Sequence, residues 1–347
     1  MTNAHLLTAD AGTAADTVLE IDDLSIEFRG GRRRSWAPRS VVPAVTNASL
    51  RVPRGRTVGL VGESGSGKTT IGRAVLRLVE PKHGVITAAG FQVDRFRGSP
   101  PAAYRRAVQA VFQDPLGSLD PLMDVRQILG EPLRVHFGLR GAAREARVRG
   151  LLDMVGLSSA HLSRYPHELS GGQRQRVAIA KALAVDPELI ILDEPVSALD
   201  VSVQGQIVNL LADIQRDLGI SYLFIAHDLA VVRHASHEVA VMYRGRIMEV
   251  GPADRVCGAP QHPYTRLLFD AVPDPTPRAL RTTAAADQPQ RKPEPGIEAA
   301  ANGCPFVARC PLRMVECTQT FPEPTPVRGG GTVACHAAAD ATPGSHN

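Results

Sequence analysis

No apolar stretch in the 347-residue sequence approaches the roughly 18–20 residues a membrane-crossing helix needs. The first 28 residues hold no Lys or Arg, so the basic start of a secretion signal is missing. Both absences predict a chain that stays in the cytosol and meets a membrane only through a partner. Charge of one sign is also lacking. A net charge of +4 on 39 basic and 35 acidic residues is too balanced to suggest a nucleic-acid surface. The densest basic run, Arg29 to Arg34, reads as a solvated loop, or alternatively as a contact for anionic lipid headgroups. Sustained heptads and long-period repeats are absent, which argues against coiled-coil arms and solenoids. Closely spaced C-x₂₋₄-C pairs, the usual zinc pattern, are absent too.

Apolar residues make up 44% of the chain, enough for a sizeable core. Residues 1–17 are small and polar without period and predict a disordered tail. Residues 18–272 carry strand and helix signals, residues 273–300 are Pro- and Ala-rich like a linker, and residues 301–347 form a Cys-bearing extension. Thr57–Val61, Leu189–Leu192 and Tyr222–Ala226 read as buried strands, while Thr69–Val79 and Ser202–Leu218 have apolar residues at helical spacing. Such alternation predicts an α/β fold with a parallel sheet covered by helices. Between two of its motifs, residues 115–180 are mostly helical and predict a helical subdomain inserted in the sheet domain. Val239–Met242 and Arg246–Val250 predict a hairpin.

Gly62-Glu-Ser-Gly-Ser-Gly67-Lys68-Thr69 fits G-x-x-x-x-G-K-[ST] between a predicted strand and a predicted helix, the P-loop NTPase context. Glycines let backbone N–H groups turn around phosphate oxygens, and the helix N-terminus adds its dipole. Gly62, Ser64, Gly65, Ser66, Gly67, Lys68, Thr69 and Thr70 form the expected nucleotide-binding set. Lys68 is expected on the β- and γ-phosphates and the Thr69 hydroxyl on Mg²⁺. The apolar run Leu189–Leu192 ends in Asp193 and Glu194. Alternation sends these two carboxylates to different sides, Asp193 toward Mg²⁺ and Glu194 toward the attacking water as general base.

Leu169-Ser-Gly-Gly-Gln173 lies between those motifs, and in this order the set resembles the ABC ATPases. The resemblance implies that two ATP molecules are sandwiched between two such domains. Ser170, Gly171, Gly172 and Gln173 would then seal the partner's nucleotide. It further implies that Gln113 senses Mg²⁺ and the attacking water, that Asp200 in Ser197-Ala-Leu-Asp200 communicates across the dimer, and that His227 contacts the γ-phosphate. Phe28 is the expected adenine-stacking residue, with Trp36 as substitute. Gln113-Asp-Pro-Leu-Gly-Ser-Leu-Asp-Pro, the residues from Tyr165 to Arg176, and His262-Pro-Tyr-Thr-Arg266 narrow the resemblance to oligopeptide/dipeptide importers, and Gly72-Arg-Ala-Val-Leu-Arg-Leu-Val-Glu-Pro81 and Gly130-Glu-Pro-Leu-Arg-Val-His136 resemble the second of their two ATPase subunits. Its implied partners are a second, non-identical ATPase subunit, two membrane-spanning permease subunits and, indirectly, an extracytoplasmic solute-binding protein. The place would be peripheral, on the cytoplasmic face of the membrane. Nickel or glutathione importers and non-transport ABC ATPases are the alternatives.

Cys304, Cys310, Cys317 and Cys335 stand in a segment too small for its own core. A cytosolic chain disfavours disulfides, so the thiols predict a metal staple. Four cysteines suit an iron–sulfur cluster or zinc, and unmetallated thiols are the third possibility. The resemblance implies a 4Fe–4S cluster.

Overall fold

The structure is a computed structural model, and it describes residues 16–29, 41–270 and 302–339. Trp36, most of the basic run, the expected linker and nearly all of the expected tail lie outside the described residues. In chain order the strands are β1 (Thr17–Arg29), β2 (Val41–Pro53), β3 (Thr57–Val61), β4 (His83–Ala88), β5 (Phe91–Gln92), β6 (Val108–Val111), β7 (Leu189–Asp193), β8 (Ser221–Ala226), β9 (Glu238–Tyr243), β10 (Arg246–Pro252), β11 (Thr325–Pro326) and β12 (Thr332–Val333). The helices are α1 (Lys68–Val75), α2 (Ala102–Ala107), α3 (Pro115–Ser118), α4 (Val125–Phe137), α5 (Gly141–Met154), α6 (Gly171–Leu183), α7 (Val201–Leu218), α8 (Leu229–Ala235), α9 (Ala253–Gly258), α10 (Pro263–Asp270), α11 (Glu316–Gln319) and α12 (His336–Ala339).

Eight strands form one sheet in the order β11-β12-β10-β9-β3-β8-β7-β6, and β2-β1-β4-β5 form a second, antiparallel one. In the large sheet β3 runs parallel to both β8 and β9, and β7 parallel to β6 and β8. Every residue of β3, β7 and β8 is buried, which is why these strands read as continuous apolar runs. Alternation along them divides two cores. Leu189, Ile191, Leu223, Ile225, Ala240 and Met242 face α1 and the antiparallel sheet. Ile190, Leu192, Tyr222, Phe224, Val239 and Val241 face α6 and α7 on the opposite side. The small antiparallel sheet closes the first core.

Local signals set the helix ends. Asp124 and Gln127 make a capping box at the start of α4, and Ser170 and Gln173 make one at the start of α6. Gly219 ends α7 in the left-handed conformation at φ 68°. Helices α3 to α6 all fall between β6 and β7. The expected hairpin is present as β9 and β10, antiparallel. Beyond it, β12 adds to the edge of the same sheet by pairing with β10, with Glu249 opposite Val333.

The cysteine expectation requires correction. Among the described residues, no three His, Cys, Asp or Glu side chains are grouped to hold a metal ion. The iron–sulfur and zinc readings of Cys304, Cys310, Cys317 and Cys335 are therefore withdrawn. Cys304, Cys310 and Cys317 are buried and belong to the larger core. Burial, with the neighbouring cysteines reinforcing it, pushes the Cys304 thiol up to about 12 and Cys310 up to about 11. A neutral buried thiol packs as a small hydrophobe. What spacing suggested was a staple is instead part of the apolar filling around Phe306, which is 1% exposed. Native protein treated with iodoacetamide near pH 8 should leave Cys304 and Cys310 unmodified until it is denatured, as counted by mass spectrometry. Rapid alkylation of both in the native state would refute this packing.

Candidate functional site

The phosphate loop leaves β3 and enters α1, so its N–H groups and the helix dipole converge at the carboxyl edge of the parallel sheet. Two of its glycines are required by space as well as by dihedral angle. A Cβ on Gly62 (φ 152°) would lie 2.0 Å from the Met242 carbonyl oxygen, and one on Gly67 (φ 106°) 2.4 Å from that of Ala44. Lys68 is only 5% exposed. Its ammonium curls back over the loop, donating to Gly62 O at 2.8 Å, Glu63 O at 3.0 Å and Ser66 Oγ at 3.3 Å. Burial pulls its pKa down, opposed by the nearby charges of Glu194, Asp193 and Glu63.

Thr69 Oγ1 donates to Asp193 Oδ1 at 2.9 Å, joining the start of α1 to the end of β7. Asp193 is 8% exposed, and burial raises its pKa while the Thr69 hydrogen bond lowers it. A desolvated carboxylate beside a hydroxyl is a hard-oxygen donor set that suits Mg²⁺, whose charge would offset the cost of burial. The next residue, Glu194, has φ 51°, uncommon for a residue with a side chain and frequent at functional sites. Its N–H donates to Ile225 O on β8 at 2.8 Å, and its carbonyl accepts from Ser197 N and Oγ. Turned out of the strand in this way, Glu194 Oε2 stands 3.2 Å from His227 Nδ1, just past the end of β8.

Lys68, Thr69, Asp193 and Glu194 share one cleft of about 1040 Å³ that also reaches Gln113, Thr70, Ser64, Gly65 and Gly67. The cleft is thus lined by nine of the residues expected at the nucleotide site, and Gly62, Ser66, His227, Phe28 and Asp200 do not line it. Ser170, Gly172 and Gln173 do not line it. They sit at the tip of α6, where Ser170 N donates to Gln173 Oε1 at 2.9 Å and the Gln173 amide contacts His161 Nε2 at 3.3 Å. Gly171 lines a smaller cavity shared with Gln113 and Asp114. Gly172 lies under Val203, where a Cβ would come within 2.7 Å of Cγ1. Asp200 caps α7 through its carbonyl, which accepts from Val203 N and Gln204 N at 2.9 Å. Phe28 is 44% exposed at the end of β1, paired with Val42. An open aromatic face is what base stacking needs.

Two residues outside the sequence-derived set touch the loop. Tyr264 on α10 accepts a hydrogen bond from Glu63 N at 3.0 Å, and Arg309 Nη1 donates to Glu63 Oε1 at 2.8 Å. The sequence held a hint in His262-Pro-Tyr-Thr-Arg266, which had served only as a marker of resemblance.

Comparison with known proteins agrees with this geometry. Residues 45–197 match the family described as ABC transporter, and residues 248–317 match the oligopeptide/dipeptide transporter C-terminal region. A peptide import ATP-binding protein of Brucella abortus (strain 2308) is 47% identical over 322 residues, 92% of this chain and 94% of that protein. The oligopeptide transport ATP-binding protein YkfD of Bacillus subtilis (strain 168) is 42% identical over 324 residues, 92% of this chain and 95% of its own. Among solved structures, cbiO1 from Clostridium perfringens, part of the ABC transporter complex cbiONQ, superposes with a TM-score of 0.61 at 27% identity, over 70% of this chain and 92% of that one. The dimeric post-hydrolysis state of the ATP-binding cassette MJ0796 bound to ADP and Pi gives 0.59 at 25% identity, over 68% and 98%. This chain belongs to the ABC transporter ATP-binding proteins, in the group that carries the oligopeptide/dipeptide transporter C-terminal region.

Proposed function

We propose that the chain binds and hydrolyses MgATP and thereby energises a peptide importer. One observation carries the reading. Lys68, the Thr69–Asp193 pair and Glu194, which His227 contacts, converge on one cleft that Ser170, Gly172 and Gln173 do not line. The other half of the nucleotide seal would come from a second ATPase domain. The loop amides and Lys68 hold the phosphates, with Ser64, Ser66 and Thr70 around them. Thr69 and Asp193 hold Mg²⁺, which when bound screens the phosphate charges. Glu194 takes a proton from the attacking water, His227 holds Glu194 and reaches the γ-phosphate, and Gln113 orients the water. Phe28 stacks on the base. Ser170, Gly171, Gly172 and Gln173 close on the partner's γ-phosphate, and Asp200 lies at the shared seam.

In this reading residues 18–272 are the ATPase domain, with the helices of 115–180 as its inserted subdomain, and residues 301–347 are the C-terminal extension. Closure of two ATPase domains drives two membrane-spanning subunits between inward and outward access, from the cytoplasmic face of the membrane. The second ATPase subunit is a paralogue, and an extracytoplasmic protein delivers the peptide.

The test is purification of the tagged chain from its own membranes. Two membrane-spanning subunits should accompany it, and ATP turnover by the assembly should rise with peptide-loaded binding protein. Within that assembly Ser170→Arg should cut turnover by roughly 100-fold, the scale of losing one preorganised donor. MgATP affinity of the isolated variant should not change, because its own Lys68 loop is intact. A chain that purifies alone, with turnover indifferent to peptide, would sink the importer reading.

A further inference from the structure

Glu63 sits inside the phosphate loop, one residue after Gly62. A carboxylate there is awkward, because its charge opposes an incoming triphosphate and competes for the Lys68 ammonium it already influences. The fold answers this from far along the chain. Arg309, 246 residues away, places Nη1 2.8 Å from Glu63 Oε1. The same nitrogen lies 3.5 Å from the Tyr243 hydroxyl, and the guanidinium stands 5.5 Å from the Phe306 ring centre and 5.9 Å from that of Tyr243.

The arm that carries Arg309 is firmly seated. Phe306 is buried edge-on to Tyr243, at 5.4 Å and 90°, and lies 5.4 Å from Tyr264. Cys304 N donates to Cys317 O at 2.8 Å, tying the start of this arm to α11. Beneath it, buried Glu249 accepts from His262 N at 2.9 Å and Gln261 N at 3.0 Å and is ion-paired with Arg255. His262 Nδ1 accepts from Tyr264 N at 3.0 Å, which orients the start of α10. Tyr264 then fixes the Glu63 amide, and Arg309 fixes its carboxylate. Glu63 is held from outside the loop at both ends, leaving its carbonyl to Lys68.

We propose that Arg309 is a positioning residue of the nucleotide site: by pairing with Glu63 it cancels a negative charge within the phosphate loop and keeps that carboxylate away from Lys68 and the incoming phosphates. The C-terminal extension is therefore part of the nucleotide site in cis. This rests on the reading of the loop as an ATP cradle. The pair is partly exposed, with 30% and 42% of the two side chains accessible, so it contributes little to folding. Its effect is on the ligand.

The experiment measures mant-ATP binding with Mg²⁺ to the full chain. Arg309→Ala and Arg309→Gln should each weaken binding roughly three- to ten-fold, the effect of one screened charge nearby. The loss should shrink as ionic strength rises from about 0.05 M to about 0.5 M. Adding Glu63→Gln to either variant should restore affinity to within about two-fold of the unmodified protein, a rescue that electrostatic pairing requires and a lost packing contact cannot give. Arg309→Lys should retain most of the affinity. Arg309 variants that bind like the unmodified chain would overturn the proposal, as would double variants as weak as the single ones. Lys68→Ala supplies the blank. If the unmodified chain binds no better than that blank, the ATP reading itself fails, and this inference with it.

Discussion

Lys68→Ala is expected to reduce MgATP affinity roughly 100- to 1,000-fold, the consequence of removing one member of a buried charge set at about 3–5 kcal/mol. The ammonium is 5% exposed and bonded to three oxygens of its own loop. Those bonds hold the charge where phosphate oxygens arrive, and the loop carbonyls release it when a stronger anionic acceptor enters. Asp193, Glu194 and Glu63 all act on it electrostatically. Without the ammonium, Asp193 and Glu194 would face a triphosphate with one fewer compensating cation. The fold should survive, because alanine suits the first turn of α1 and Gly67 still supplies the left-handed cap. Isothermal titration of the variant with MgATP, alongside a melting curve, checks both halves. An affinity within a few-fold of the unmodified protein would take Lys68 out of the nucleotide site.

The parts legible in the sequence were those whose chemistry is local. A phosphate loop is eight residues between a strand and a helix, so its spacing alone carries its geometry, and the observed β3 has the bounds read from the apolar run. Asp193 and Glu194 were legible because a buried strand must deliver its last side chains to the sheet edge. His227 was legible by its place after β8, yet its 3.2 Å contact with Glu194 depends on the positive φ of Glu194, which no pattern announces. The Ser170 tip was recognisable by order, but its distance from the cleft is a property of the folded chain. The cysteine reading failed because spacing describes ligand availability and not packing. Cys304, Cys310 and Cys317 joined the apolar core, and the raised pKa values of Cys304 and Cys310 follow from that burial. The Glu63–Arg309 pair was out of reach for another reason. It spans 246 residues and exists only because β12 pairs with β10 and Phe306 packs on Tyr243 and Tyr264.

The second large effect separates binding from chemistry. Glu194→Gln should bind MgATP as well as the unmodified protein but hydrolyse it about 100- to 10,000-fold more slowly, the range general-base catalysis supplies. The exchange conserves shape, and an amide can still meet His227 Nδ1, now 3.2 Å from Oε2. The backbone features that set Glu194 apart, its N–H bond to Ile225 O and its carbonyl bonds to Ser197, do not involve the side chain and should persist. Only proton acceptance is lost. Asp193 is poorly placed to replace it, since its Oδ1 already accepts the Thr69 hydroxyl and its desolvated carboxylate is suited to a cation rather than to a water proton. His227→Ala should therefore slow turnover less than Glu194→Gln, because it removes the residue holding the base and leaves the base itself. Single-turnover hydrolysis alongside nucleotide titration distinguishes these outcomes. Near-normal turnover in Glu194→Gln would deny it the role of base, and a parallel loss of affinity would mean that the carboxylate contributes to binding instead.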